Sequence, residues 1–298
     1  IKMVSPSTSG LNGGLLVTIS GFGFVKGTNI TVTDANGDTL CDFTSDNCEI
    51  VSLSPDEIVF TSPKANFAGD VTILVAADHL DDALLVSFEY EDSSSELTGS
   101  DSIEESLGGG ESITLDGEFE CENTSVLFLL AREKLEMASM ASSVKPSSCS
   151  ENSLTFTAPL LKAGSYVLVV STKAGLATGQ IPIQYELTIS SISPSKIGLG
   201  GGIPITLSGT GFSVDTRASL CGDDLEFKIQ DGNDIVFITQ PIESLDNCEG
   251  FEIVLTSIDE SDGSEISSSQ SESRSRRAAG GGIEIDDSIT PKIVSVNP

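Results

Sequence analysis

The chain has 298 residues and sets 45 acidic side chains against 15 basic ones, a formal net charge of −30, with no tryptophan and a single histidine. A duplex DNA or RNA backbone would repel such a surface, because that binding rests on lysine and arginine neutralising phosphate, so nucleic-acid partners are excluded. No apolar run reaches the roughly 18 residues a spanning helix needs, which excludes direct membrane insertion by a helix of this segment.

One phrase occurs twice almost intact. Val4-Ser-Pro6 followed by Gly13-Gly14 and Gly21-Phe22-Gly23-Phe24 returns as Ile192-Ser-Pro194, Gly201-Gly202 and Gly209-Thr210-Gly211-Phe212, with a constant offset of 188 positions. A weaker copy lies between, with Gly110 and Gly117 placed 96 positions after Gly14 and Gly21. The chain is therefore a tandem array with a period near one hundred, and the repeat decides the domain count.

The first repeat spans 1–95. Leu15–Ser20 reads as a strand ended by the Gly-Phe-Gly-Phe24 turn, where glycine permits positive φ and the phenylalanine tucks beneath. Asn29–Thr33 alternates with period two. Ala35-Asn36-Gly37-Asp38 is a tight-turn signal leading to Leu40–Phe43. Ile58–Pro63 is a strand stopped by proline, and Gly69–Ala77 with Leu84–Tyr90 makes a final hairpin. Some seven short strands with turns at this spacing predict a β-sandwich.

The second repeat, 96–186, answers strand for strand: Ser153–Pro159 to Glu57–Pro63, and Gly164–Val170 to Gly69–Val75. Leu127–Met137 departs from the pattern, opening as a strand and turning helix-like in composition, which predicts a strand followed by a decorated loop. The third repeat, 187–289, shows Ile235–Pro241 and Phe251–Thr256 as its signature strands. An insert over 257–282 is poor in apolar residues and is expected to be a mobile hairpin tip, after which Gly282–Asp286 resumes the sheet. Residues 290–298 read as the start of a further repeat, so the chain reads as an excerpt whose signal or anchor would lie elsewhere. Short joints between repeats predict a stiff rod.

The sequence of Ile-x-Pro, Gly-Gly-x-x-Ile-Thr-Leu-x-Gly-x-Gly-Phe, a strand ending in proline and Gly-x-x-x-Val-x-Val resembles the IPT/TIG family, most of all the tandem arrays of fibrocystin-like cell-surface proteins. The likeness is strong in the first and third repeats and weaker in the second, where Gly117-Glu-Phe119 shortens the turn. It implies an all-β chain of three tandem immunoglobulin-like, early-set β-sandwich domains. It implies no activity, because the fold hosts many functions.

Candidate sites are few. Six cysteines fall two to a repeat: Cys41 and Cys48, Cys121 and Cys149, Cys221 and Cys248. They admit many pairings, of which one within each repeat is the simplest, with buried free thiols as the alternative. An even count favours an oxidising compartment. Asn29-Ile-Thr31 and Asn123-Thr-Ser125 are sequons in what read as equivalent strands, either glycosylated or present by chance. Arg274, Arg276 and Arg277 form a basic processing signal in the insert, or a charge-balancing patch. His79 reads as a solvated loop residue, and no triad, phosphate loop or dinucleotide fingerprint occurs, so no enzyme and no catalytic residue is read.

Calcium is the one cofactor weighed. Asp78, Asp81 and Asp82, the Asp34-Asn36-Asp38 turn, or Glu284, Asp286 and Asp287 could supply oxygens, but none has the ordered ligand spacing. No zinc motif occurs. The sequence is thus read as a non-enzymatic extracellular or cell-surface segment, structural or adhesive, of a large multi-repeat protein, a ciliary or flagellar surface being one such setting. Its partners are neighbouring repeats and other extracellular proteins or copies. The alternative is a receptor ectodomain whose repeats bind a protein ligand. Low aromatic content argues against carbohydrate binding.

Overall fold

The computed structural model describes residues 1–42, 49–77, 84–100, 103, 107–132, 137–220, 223–230, 234–241, 253–270 and 284–285. Apart from one 3-10 turn at Met137–Ser139, its regular elements among the described residues are strands. By compactness it divides into two units. The first holds Ile1–Glu104, Ser112–Ala158 and Val167–Pro182; the second holds Glu105–Glu111, Pro159–Tyr166 and Ile183–Pro298.

In the first repeat the strands are β1 (Met3–Ser5), β2 (Thr8–Gly10), β3 (Leu16–Ser20), β4 (Asn29–Asp34), β5 (Thr39–Cys41), β6 (Ile50–Leu53), β7 (Glu57–Thr61), β8 (Gly69–Ala76) and β9 (Leu84–Glu91). They form two sheets, β1-β3-β7-β6 and β2-β9-β8-β4-β5. Period-two alternation places Val17, Ile19, Ile58 and Phe60 of one sheet against Ile30, Val32, Ile73, Val75 and Phe88 of the other, forming one buried cluster. Fully burying each such side chain stabilises the fold by about 1.5–3 kcal/mol.

Among the described residues this repeat has nine strands, where the sequence reads as seven. β2 escaped notice because it is Thr-Ser-Gly, with no apolar alternation, and is held by backbone pairing parallel to β9. The chain passes from β1 in one sheet to β2 in the other across the cis Ser5-Pro6 bond; Ser193-Pro194 is cis as well.

The second repeat contributes β10 (Glu96–Gly99), β11 (Ser112–Glu118), β12 (Ser125–Leu130), β13 (Met140–Val144), β14 (Ser148–Cys149), β15 (Ser153–Thr157), β16 (Gly164–Thr172), β17 (Gly175–Leu176) and β18 (Ile181–Tyr185). Its sheets are β10-β11-β15-β14 and β13-β12-β16-β17, the latter joined by β18, which pairs with β16. The strand that opens Leu127–Met137 is β12, and a second strand not read from the sequence lies just beyond that segment. After the 3-10 turn, β13 returns antiparallel to β12, with Val126 opposite Val144. Met-Ala-Ser-Ser-Val lacks the β-branched run that would announce it.

The third repeat contributes β19 (Thr188–Ser193), β20 (Lys196–Ile197), β21 (Pro204–Thr210), β22 (Arg217–Leu220), β23 (Asp223–Leu225), β24 (Phe227–Gln230), β25 (Asp234–Ile238), β26 (Ile253–Ile258), β27 (Glu265–Gln270) and β28 (Glu284–Ile285). Sheets β19-β21-β25-β24 and β23-β22-β26-β27 enclose Ile205, Leu207, Phe212, Ile235, Phe237, Ile253 and Leu255, and β20 pairs parallel with β28.

Here the expected mobile insert needs correction. Residues 257–270 complete β26, turn at Asp259–Ser264 and return as β27, in register from Ile258 opposite Glu265 to Ile253 opposite Gln270. Composition misled because this strand is held by its backbone ladder, with Ile266 supplying its apolar contact to the core. The remainder of the insert, 271–282, lies outside the described residues.

The motif glycines have two distinct jobs. In each repeat the two glycines that follow the first short strands both have positive φ: Gly13 and Gly14, Gly109 and Gly110, Gly201 and Gly202. The first glycine of the Gly-x-Gly-Phe turn does not. A Cβ on Gly21 would meet the Phe24 ring at 2.8 Å, and one on Gly209 would meet Phe212 at 2.7 Å. That position is glycine because the phenylalanine occupies its side-chain space and, in the second and third repeats, a main-chain carbonyl lies closer still, Glu96 O against Gly117 and Thr188 O against Gly209. Phe24, Phe119 and Phe212 are all buried, as the sequence predicts.

Candidate functional site

No catalytic grouping stands out, and among the described residues no set of three or more histidine, cysteine or acidic side chains could hold a metal ion. The most elaborate arrangement is where one repeat meets the next. In the first unit it begins with hydrophobicity. β12 and β16 are buried on both faces, so Leu127-Phe-Leu-Leu130 and Tyr166-Val-Leu-Val-Val170 read as continuous apolar runs rather than alternating ones. Val126, Phe128 and Leu168 are buried on one side; on the other, Leu127, Leu129, Val167, Val169 and Met137 form a separate cluster. Leu16 and Val51 of the first repeat pack against that cluster. A sandwich with both sheets solvated outside needs no such second core, so this face exists to be covered.

Backbone and polar contacts then fix the register. The turn between β16 and β17, Lys173-Ala174-Gly175, lies against Gly10–Gly14. Gly10 N donates to Lys173 O at 3.2 Å, Leu176 N donates to Gly13 O at 2.7 Å, and Gly13 and Gly175 form a parallel bridge. Asn12 donates through Nδ2 to Ser95 O at 2.6 Å and to Leu176 O at 2.9 Å, tying both repeats with one amide. Side chains on Gly10 or Gly175 would collide with the opposing main chain, at Ala174 and at Gly13 respectively.

At the rim, Lys173 Nζ meets Glu91 Oε2 at 2.9 Å. The ammonium beside it holds the Glu91 carboxyl below its ordinary value, and the carboxylate in turn raises Lys173. Both groups are more than a third exposed, so the pair adds little stability of its own.

In the second unit the equivalent turn, Asp259–Gly263 between β26 and β27, meets Lys162–Ser165 of the second repeat. Asp259 is 3% exposed and accepts from Ser165 N at 2.9 Å, Ser165 Oγ at 2.8 Å and Ser261 N at 2.8 Å. Lys162 pairs with Glu260 and lies 3.9 Å from Asp215. Ala163 N donates to Gly211 O at 2.9 Å, and Ala163 joins the core of the third repeat. The incoming turn carries the cation in the first joint and the anions in the second.

Tyrosines brace the repeats from within. Tyr90 Oη donates to Pro63 O at 2.6 Å, and Tyr185 Oη donates to Pro159 O at 3.0 Å. These are the prolines that follow β7 and β15, so each phenol closes the strand end that its proline stops. Tyr166 donates to Lys162 O at 3.0 Å and stacks edge-on with Tyr185. Burial, above all, raises all three phenols over their ordinary value.

The residues singled out in the sequence fall as follows. Cys121 and Cys149 are joined, tying the turn before β12 to β14. Cys41 is buried in β5 and disulfide-bonded, whereas Cys48, Cys221 and Cys248 lie outside the described residues. So do Arg274, Arg276 and Arg277, as well as Asp78, His79, Asp81, Asp82, Asp286 and Asp287; of Glu284 only the backbone, in β28, is described. Asp34 folds its turn by accepting from Asn36 N and Asp38 N, each at 2.9 Å.

The two sequons are not equivalent. Asn29 opens β4, while Asn123 is an exposed turn residue at φ 55, ahead of β12.

Sequence reasoning missed Asn12, Gly10 and Gly175, and it missed three buried threonines. Thr28 and Thr216 accept from Val25 N and Ser213 N, and Thr124 donates to Glu120 O, each bracing the turn before the next strand. Their signal was available, since Thr124 and Thr216 follow Thr28 by the repeat offsets of 96 and 188.

The IPT/TIG domain family model matches residues 1–90 and 187–271, more than half of the chain. The middle repeat falls outside both stretches, consistent with its shortened Gly-Phe turn and its doubly buried strands. Human fibrocystin-L is 27% identical over 231 residues, covering 75% of this chain and 5% of that protein, so the chain spans about one-twentieth of this relative's length. Among solved structures, the plexin A4 full extracellular region overlaps at TM-score 0.30 and 18% identity, over 85% of this chain and 22% of that one. A titin tandem overlaps at TM-score 0.21 and 8% identity, over 88% and 93%.

Proposed function

Since the chain belongs to the IPT/TIG domain family, we propose that it is a non-enzymatic structural or adhesive segment of a larger extracellular or cell-surface protein, acting through fixed joints and lateral association of its sandwiches. The observation that carries this reading is the first joint. An apolar cluster, main-chain bridges and a two-ended amide hold successive repeats together, as a load-transmitting or spacing element requires and a flexible string of modules does not. The disulfide between Cys121 and Cys149 supports an oxidising location. The acidic surface, at a net charge of −30, supports partners that are other proteins or copies rather than polyanions.

Sedimentation of the purified chain over a range of concentrations and salt tests the assembly. Reversible self-association is the expected result. A chain that stays monomeric throughout and instead captures one defined extracellular protein would replace this reading with that of a receptor ectodomain.

A further inference from the structure

The outer face of the sheet β2-β9-β8-β4-β5 carries an apolar row set beside a polar one. Register brings Thr31, Leu74 and Leu85 side by side across β4, β8 and β9, with Asn29 paired to Ala76 one row beyond. Leu85 is 66% exposed and Leu74 half-buried. The neighbouring row is Thr33, Thr72 and Ser87, with no apolar side chain. Within Asn29-Ile30-Thr31, the period of two turns Ile30 into the core at 1% exposure and leaves Asn29 and Thr31 on the outer face.

We propose that Asn29 is N-glycosylated and that the first sugars of its glycan lie over Leu74 and Leu85, closing this outer face to other proteins. The proposal rests on the extracellular reading above, because the donor sugar is met only along the secretory route. In the transfer, Asn29 Nδ2 bonds to the anomeric carbon of an N-acetylglucosamine carried on a polyprenyl diphosphate. The carbon–oxygen bond to phosphate breaks, the diphosphate leaves with that electron pair, and Nδ2 gives up one proton.

Distances along the sheet suit the cover. Thr31 is about 6.6 Å along the strand from Asn29, and Leu85, two strands across, adds about 9–10 Å. The first two or three pyranose rings span that reach, and their C–H faces remove water from the leucines. Asn123 offers no such seat: it stands in a turn, and a glycan there would project into solvent.

The test expresses the full chain through a eukaryotic secretory host and reads peptides by mass spectrometry, with and without enzymatic glycan removal. Expected is a hexosamine-bearing Asn29 peptide. Expected too is that Asn29→Gln, and independently Thr31→Ala, bind a hydrophobic dye and self-associate severalfold more than the parent, with Leu85→Ser in the same background restoring the parent level. A bare Asn29 beside an occupied Asn123 and an intact Cys121–Cys149 bridge overturns the proposal and leaves the extracellular reading standing. Bare asparagines with both cysteines reduced overturn the extracellular reading and the proposal together. An occupied Asn29 whose removal changes neither dye binding nor association overturns the cover.

Discussion

Gly175 and Gly37 both have positive φ, 102° and 87°, yet nothing stands near Gly37 while Gly175 faces the main chain of Gly13. Gly37→Ala should therefore cost only the left-handed backbone penalty, about 1–2 kcal/mol. Gly175→Ala adds a main-chain collision that no rotamer relieves and should open the joint. Paired thermal melts, with hydrogen exchange at the Gly10 and Leu176 amides, separate the two effects. Equal losses for both substitutions would show that the close approach at Gly175 contributes nothing. Asn12→Ala removes two hydrogen bonds, although Ser95 O keeps its bond from Thr178 N at 2.9 Å, a loss of about 1–3 kcal/mol that should appear in the same amides and not in β7.

Among the elements, the bridge from Cys121 to Cys149 closes a loop with a sequence separation of 28. Chain entropy puts its contribution at about 3–4 kcal/mol. Replacing both cysteines with serine should lower the unfolding free energy by up to that amount, measured by denaturant titration.

Much of the element pattern was legible from the residues. Strands with period-two apolar residues are legible to within about three residues of their ends, as is the hairpin of β8 and β9. So is the buried phenylalanine of each turn. Three features were hidden for physical reasons. β2 and β27 are held mainly by backbone pairing, which leaves little trace in side-chain composition. The Gly21-type glycine answers to a ring, and in two repeats to a neighbouring carbonyl, across space rather than to its own φ. The joint gave one signal, the loss of alternation in Leu127–Leu130 and Tyr166–Val170, but a chain on paper does not say which residues cover a second apolar face; only the fold brings Leu16 and Val51 there. Of the site residues, Asn12 had no local sign at all, since an asparagine beside two glycines reads as an ordinary turn.

For the molecule as a whole, the exposed pair at the rim gives the first joint only a small pH dependence. The Glu91 carboxyl is lowered by Lys173, so its contribution is present above 4.5, its ordinary value, and is lost as pH falls through the lowered one. Lys173 is raised, so its share is present below 10.5 and is lost as pH rises beyond it. Because both groups are more than a third exposed, acid should change exchange of the Leu176 amide little until the sandwiches themselves unfold; early exchange of that amide in acid would show that the pair carries the joint.

The chain has three tyrosines and no tryptophan, so its phenolate absorbance reports only Tyr90, Tyr166 and Tyr185. Each is raised by burial, which stabilises the folded state fully below the ordinary value of 10.0 and progressively less as pH climbs past it. Phenolate should appear only as the protein unfolds, in one step coincident with loss of the β-sheet signal. A gradual titration centred near 10.0 would show that the phenols are open to solvent.

The doubly buried strands of the second repeat also bear on how such an array can change through inheritance. A duplication or deletion that moved this repeat alone would carry Leu127, Leu129, Val167 and Val169 away from Leu16 and Val51 and leave a greasy wound on the copy. The first two repeats are thus bound to travel as a couple, so the smallest piece that recombination can safely add or lose here is longer than the period written in the sequence.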